Sequence, residues 1–130
     1  MRRPPLTLTA AALAAGLLLA GCGDDDHGGD DHGASTPVAE DARRVEVIAR
    51  NFEFEPSEIT AEVGEDLAIV LTSEDSLHDF TIDELDSHVS VRRGETAEGG
   101  LHAEEAGTYT FYCSVPGHQR AGMEGTLVVR

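Results

Sequence analysis

The chain has 130 residues, a formal net charge of −16 and no lysine, so all nine of its basic side chains are arginines. So acidic a protein is a poor partner for nucleic acid and a plausible one for a basic protein surface, but high-salt adaptation or a biased genome gives the same composition, so charge alone identifies no partner. Composition gives no sign of repeats or of a coiled coil, and the apolar runs are short, which points to small strands around one core.

The first three residues, Met1-Arg2-Arg3, are basic, and Leu6 to Ala20 is an uncharged Ala/Leu-rich run. That run is too short for a comfortable helical span of roughly 20 residues. A basic start, an apolar middle and a small-residue end read as an export signal over residues 1–21. Its last residues, Leu19-Ala20-Gly21-Cys22, resemble the lipobox of bacterial lipoproteins, which implies lipid on Cys22. The expected location is therefore extracytoplasmic, anchored to the bacterial cell membrane. Residues 22–42 are acids, glycines and a Pro with almost nothing to bury, and read as a disordered tether. His27 and His32 within it stand beside Asp runs and could bind metal loosely.

Residues 43–130 suffice for one small domain, with eighteen acids against seven arginines. Val45, Val47 and Ala49 share one face of an alternating run. Ile59, Ala61 and Val63 alternate next, then Leu67, Ile69 and Leu71, then His78, Phe80 and Ile82, then Val89 and Val91. Residues 95–106 are the least readable and suggest a loop with a short helical turn. Tyr109, Phe111 and Cys113 follow, and Leu127 and Val129 close the chain. Period-two alternation broken by Gly, Pro, Ser and Asp predicts seven or eight strands, each with one buried face. So many strands in so short a domain predict an all-β antiparallel sandwich.

Two phases bear on chemistry. His78 is in register with Phe80 and Ile82, and Cys113 with Tyr109 and Phe111, so both are expected to point inward. With Cys22 lipidated, Cys113 is the domain's only thiol, and an exported unpaired Cys calls for a use such as metal ligation. Cys113, His118 and Met123 stand at even steps on a segment whose Pro116, Gly117 and Gly122 favour tight turning. One loop can thus offer a thiolate, an imidazole and a thioether to one point. A trigonal set of two His and one Cys with a weak axial Met marks an electron-transfer copper site. His78 is the natural second imidazole. Alone, Cys113 would be a buried small hydrophobe and Met123 a loop residue packed inward. His88 and His102 lack ligand spacing and read as surface residues. The acids at Asp83, Glu84 and Asp86 read as a solvated edge.

The run from Tyr112 to Met123 and the segment Leu77-His78-Asp79-Phe80 resemble the cupredoxins, the plastocyanin and azurin group. The resemblance implies a Greek-key β-sandwich with one type 1 copper ion at one end. It implies Cys113 as the thiolate ligand, His78 and His118 as imidazole ligands and Met123 as the axial ligand. Tyr109 resembles the tyrosine corner of such sandwiches. The chain departs from the group at Asp79, where Asn is usual, which puts at issue the hydrogen bonds with which that Asn braces the site.

With four protein ligands no position is left for substrate, so a one-electron carrier rather than an enzyme is expected. Its partners would be redox proteins such as cytochromes or oxidases with basic docking surfaces, met by a monomer. A multicopper enzyme would need further His pairs, and a dinuclear CuA centre would need two cysteines on the loop. The alternative is copper storage or delivery, which the His-Asp tether fits. A metal-free interaction module would not need all four donors.

Overall fold

The computed structural model describes residues 35–130. The expected signal, Cys22, His27 and His32 lie outside the described residues. Among the described residues nine strands form: β1 (Arg43–Arg50), β2 (Glu53–Glu55), β3 (Glu58–Ala61), β4 (Asp66–Ser73), β5 (His78–Ile82), β6 (Ser87–Val91), β7 (Thr96–His102), β8 (Gly107–Tyr112) and β9 (Glu124–Val129). They make a four-stranded sheet in the order β2-β1-β4-β7 and a five-stranded sheet in the order β3-β9-β8-β5-β6. Two short 3-10 turns, Asp83–Leu85 and Gln119–Ala121, complete the described elements.

The all-β sandwich is as expected, with three differences. Nine strands replace seven or eight because Glu53–Glu55 and Thr96–His102 each form a strand that the alternating runs did not include. The sheets are mixed rather than antiparallel: β1 runs parallel to β4, and β3 parallel to β9. Residues 96–102, read as part of a loop, are strand β7, paired with β4 from Thr72↔Thr96 to Asp66↔His102. Glycine hid that strand, and close packing explains the glycine. A Cβ on Gly99 would meet the Val89 Cβ at 2.7 Å, and one on Gly100 the Pro37 carbonyl oxygen at 1.9 Å.

The Pro37 contact shows that ordered chain begins before the boundary drawn at Arg43. The Thr36 N–H donates to the His88 carbonyl at 2.9 Å, and the Gly100 N–H donates to the Thr36 carbonyl at 2.8 Å. This stretch therefore bridges β6 and β7, the edge strands of the two sheets.

The core lies between the sheets and takes the inward residues that alternation marks: Val47, Ala49, Leu67, Ile69, Leu71, Phe80, Ile82, Val89, Phe111 and Leu127 are all buried. Val63 is the exception at the end of its run. It lies beyond β3, before the turn at Gly64, and is exposed. Phe80 and Phe111 stack with ring centroids 4.6 Å apart, and Phe54 meets both edge-on. The Tyr109 hydroxyl donates to the Glu105 carbonyl at 2.9 Å, closing the corner that its sequence setting suggested.

Candidate metal centre

One end of the five-stranded sheet gathers three chain segments: the start of β5, the chain leaving β8 and the loop that leads into β9. β8 pairs with both other strands, with Thr81↔Tyr112 on one side and Tyr112↔Glu124 on the other. His78 opens β5, Cys113 follows β8 and Met123 precedes β9, and all three are fully buried. The inward phase expected for His78 and Cys113 is therefore found, and the loop returns His118 to the same place.

That loop is held by its own backbone. The Cys113 N–H donates to the Met123 carbonyl and the Met123 N–H to the His118 carbonyl, each at 3.1 Å. The His118 N–H reaches the Val115 carbonyl at 3.0 Å. Gly122, at φ 101°, ends the 3-10 turn in a left-handed conformation and donates to the Gln119 carbonyl. Few side chains would tolerate that angle, so the sequence signal for tight turning is met where it was placed.

Among the described residues, one group of potential metal donors converges: His78, Cys113 and His118, whose ligand atoms lie within 4.8 Å of one another. The Cys113 Sγ is 3.9 Å from His78 Nδ1 and 3.5 Å from His118 Nδ1. An ion about 2.0 Å from each nitrogen and about 2.3 Å from the sulfur, in a trigonal plane, needs sulfur–nitrogen separations of about 3.7 Å. The cluster is thus already spaced for a single ion. Its donors are a soft sulfur and two imidazoles, with the thioether residue Met123 buried beside them, and this set fits a type 1 copper ion.

Burial pushes the Cys113 thiol above its ordinary pKa, against the opposing pull of the Asp79 and Val115 N–H groups. A metal ion is therefore what would hold this sulfur as thiolate. The Asp79 N–H points at the Cys113 Sγ from 3.5 Å. The Asp79 side chain is 6% exposed and makes the braces that the change from Asn put at issue. Its Oδ1 accepts from the Ser114 N–H at 2.5 Å and its Oδ2 from the Ser114 hydroxyl at 2.6 Å. A carboxylate can fill this place because both partners are donors.

Two residues at this end were not singled out from the sequence. The Asp75 Oδ1 lies 2.7 Å from His78 Nε2, and the Asp75 Oδ2 accepts from the Asn51 N–H at 2.8 Å. Burial works to raise the Asp75 pKa, but these hydrogen bonds outweigh it and hold the carboxyl below its ordinary value. Phe52 packs edge-on against the His118 ring, with centroids 5.1 Å apart. Phe54 is buried while Phe52 is 44% exposed, because residues 51–52 form the turn between β1 and β2. Asp75 carried no signal: it is one acid among many in an acidic chain.

The remaining polar candidates are accounted for locally. His102 is exposed and pairs with Asp66, 2.7 Å away, and His88 Nδ1 is 3.0 Å from the Thr81 hydroxyl. Asp83 accepts from the Tyr112 hydroxyl and, like Glu84 and Asp86, is exposed.

Comparison with known proteins agrees with the geometry. No curated protein sequence matches the chain. The fold is similar to a reduced auracyanin from the photosynthetic bacterium Roseiflexus castenholzii, at 18% identity over 68% of this chain and 98% of that one, with a TM-score of 0.59. It is similar to auracyanin A, a "blue" copper protein from Chloroflexus aurantiacus, at 21% identity over 67% and 98% of the two chains, with a TM-score of 0.58. It is also similar to the periplasmic domain of cytochrome oxidase subunit II from Bradyrhizobium japonicum, at 15% identity over 74% and 88%, with a TM-score of 0.60. At these identities the likeness is one of fold. The profile of the cupredoxin-like domain matches residues 9–129, nearly the whole chain, and the protein belongs to that family.

Proposed function

We propose that this domain carries single electrons on one type 1 copper ion held by His78, Cys113, His118 and Met123. The observation that carries the reading is the convergence of two imidazole nitrogens and one thiol sulfur in a buried cluster. A copper ion bound there supplies a Cu(II)/Cu(I) couple. The protein supplies the rest. Burial of His78, Cys113 and Met123 keeps water from the ion, and the hydrogen-bonded loop keeps the donors in place as its charge changes. Four protein donors leave no position for a substrate, an arrangement for transfer rather than catalysis. His118 is the only one of the four that is not fully buried, so electrons would pass through its ring.

Partners would be redox proteins with basic docking surfaces, such as cytochromes or oxidases, met by a monomer. We place the domain outside the cytoplasm, exported by residues 1–21 and held to the membrane by lipid on Cys22. Native protein is then expected in the membrane fraction, since lipoprotein-type multiple acylation anchors stably where one chain does not. Unmodified soluble protein beginning at Cys22 would remove that part of the proposal.

The central test is the visible spectrum. Copper(II)-loaded protein should be intensely blue or green from thiolate-to-copper charge transfer, and Cys113→Ser should abolish the colour. A coloured Cys113→Ser protein would exclude Cys113 as the ligand. The second reading, copper storage or delivery, draws on His27 and His32 beside the Asp runs. A delivery protein should surrender its copper readily to a chelator, whereas a carrier should keep it through repeated redox cycles.

A further inference from the structure

The Asp75 carboxylate belongs to the loop between β4 and β5, and its side chain is 33% exposed, so the core does not require it. Both of its oxygens are nonetheless engaged, and by different segments. The Oδ1 takes His78 Nε2 at 2.7 Å, and the Oδ2 takes the N–H of Asn51, in the turn between β1 and β2, at 2.8 Å. The next residue in that turn is Phe52, whose ring meets the His118 ring edge-on. The Ser76 hydroxyl lies 3.1 Å from His78 Nε2 and 3.4 Å from Asn51 Oδ1, completing a polar knot on the side of His78 away from Cys113.

We infer that Asp75 is a positioning residue that fixes both imidazole donors of the site, His78 directly and His118 through the Asn51–Phe52 turn. The inference rests on the copper reading and deepens it. A carboxylate oxygen accepts, so the Asp75 Oδ1 at 2.7 Å favours the His78 tautomer with its ring proton on Nε2. Nδ1 is left with its lone pair on the side of Cys113 Sγ, 3.9 Å away. A carboxylate behind a histidine ligand also makes the ring a stronger donor, and such partners typically change metal affinity about 10–100-fold. The gain is larger for the ion of higher charge, so Asp75 should favour Cu(II) over Cu(I).

The test uses the full chain with Asp75→Ala and with Asp75→Asn, which keeps the shape but offers one acceptor oxygen in place of two. Glu74→Ala serves as a control, removing an exposed neighbouring acid that faces Arg50 instead. In the metal-free protein, nitrogen NMR of the rings should find His78 protonated at Nε2 in the parent and as mixed tautomers in Asp75→Ala. The His118 ring signals should shift in the same variant as Phe52 loses its anchor. In the copper-loaded protein, Cu(II) affinity should fall about tenfold more than Cu(I) affinity, which raises the reduction potential by about 59 mV. Glu74→Ala should leave the ring signals unchanged and move the potential less. An unchanged His78 tautomer in both Asp75 variants, or an equal potential shift from Glu74→Ala, would overturn the inference. Failure of the parent to bind copper would instead sink the copper reading, and the metal-free ring measurement would still decide the part played by Asp75.

Discussion

At Asp79 the chain puts a formal charge where the cupredoxins it resembles usually carry an amide. The carboxylate is buried, and two hydrogen bonds from Ser114 tie it to the residue that follows Cys113. Those bonds explain why the acid is tolerated, and the charge should still act on the copper. The oxidised ion carries one more positive charge than the reduced one, so a nearby carboxylate favours Cu(II). At an assumed separation of about 8 Å and an effective dielectric of about 20, the preference is about 2 kcal/mol. For a one-electron couple that is about 90 mV, and solvent screening reduces it. Asp79→Asn is therefore expected to raise the reduction potential by tens of millivolts at neutral pH, with the visible spectrum retained. Voltammetry of the two proteins checks this, and equal potentials would mean that the charge is screened from the ion.

Between residue and fold stands the pairing of β8 with β9, which sets the base of the site. Phe111 faces Gly125 across these strands, two residues before Cys113. A Cβ on Gly125 would meet the Phe111 ring at 2.2 Å and the Ser57 carbonyl oxygen at 2.6 Å. The ring cannot yield freely, because it stacks on Phe80. Gly125→Ala should thus cost about 1–3 kcal/mol, read as a lower denaturant midpoint. A variant as stable as the parent would show that the ring has room to move.

A second joint ties β1 to the turn before β4. Arg43 donates to Glu65 and to the Thr60 carbonyl, and its hydrogen bond is the main cause that lowers the Glu65 pKa. A carboxylate with a depressed folded pKa adds stability above its unfolded pKa and loses it as pH falls through the folded value. Arg43→Ala should be less stable than the parent at neutral pH, by at most about 1 kcal/mol for so exposed a pair. The gap should close below pH ~4, the ordinary range for Glu. A gap that persists in strong acid would assign it to the Thr60 bond or to packing.

These elements also show what alternation can and cannot reveal. β1, β5 and β8 each bury one apolar face against the opposite sheet, so their period of two was legible, while in β4 Ala68 and Val70 on the other face are buried as well. β7 was not, because its Gly99 and Gly100 are dictated by what crosses them, Val89 and Pro37, which are remote in sequence. The site divides in the same way. Cys113, His118 and Met123 share one loop, and their chemistry is specific enough to read from spacing. Asp75 and Phe52 come to the imidazoles only through the β4–β5 and β1–β2 connections, and a lone acid or aromatic on a turn announces nothing.

Across the whole molecule, charge and shape set how a partner would arrive. Val115, Pro116 and Ala121 surround His118 on its loop, and Phe52 and Leu77 add exposed apolar surface at the same end. Arg120 is the one charged side chain between His118 and Met123. The described chain before β1 joins the fold at His88 and Gly100, on the β6–β7 edge, and so does not occupy the loop that carries His118. The acids elsewhere in the domain would draw in a basic partner, while the apolar patch would make the close contact that short-range electron transfer needs. The two parts should separate experimentally, because the steering acts at long range and the contact does not. Association with a basic one-electron protein acceptor should slow as ionic strength rises, since exposed charges are screened beyond about 8 Å at physiological salt. Ala121→Glu should slow electron exchange further by setting a charge within the contact itself, and the deficit should persist at high salt if desolvation of that charge is the cause. Stopped-flow measurement of the parent and Ala121→Glu across a salt series tests both parts. An unchanged rate for Ala121→Glu would move the docking site away from His118, and a parent rate indifferent to salt would leave the acidic surface without a part in recognition.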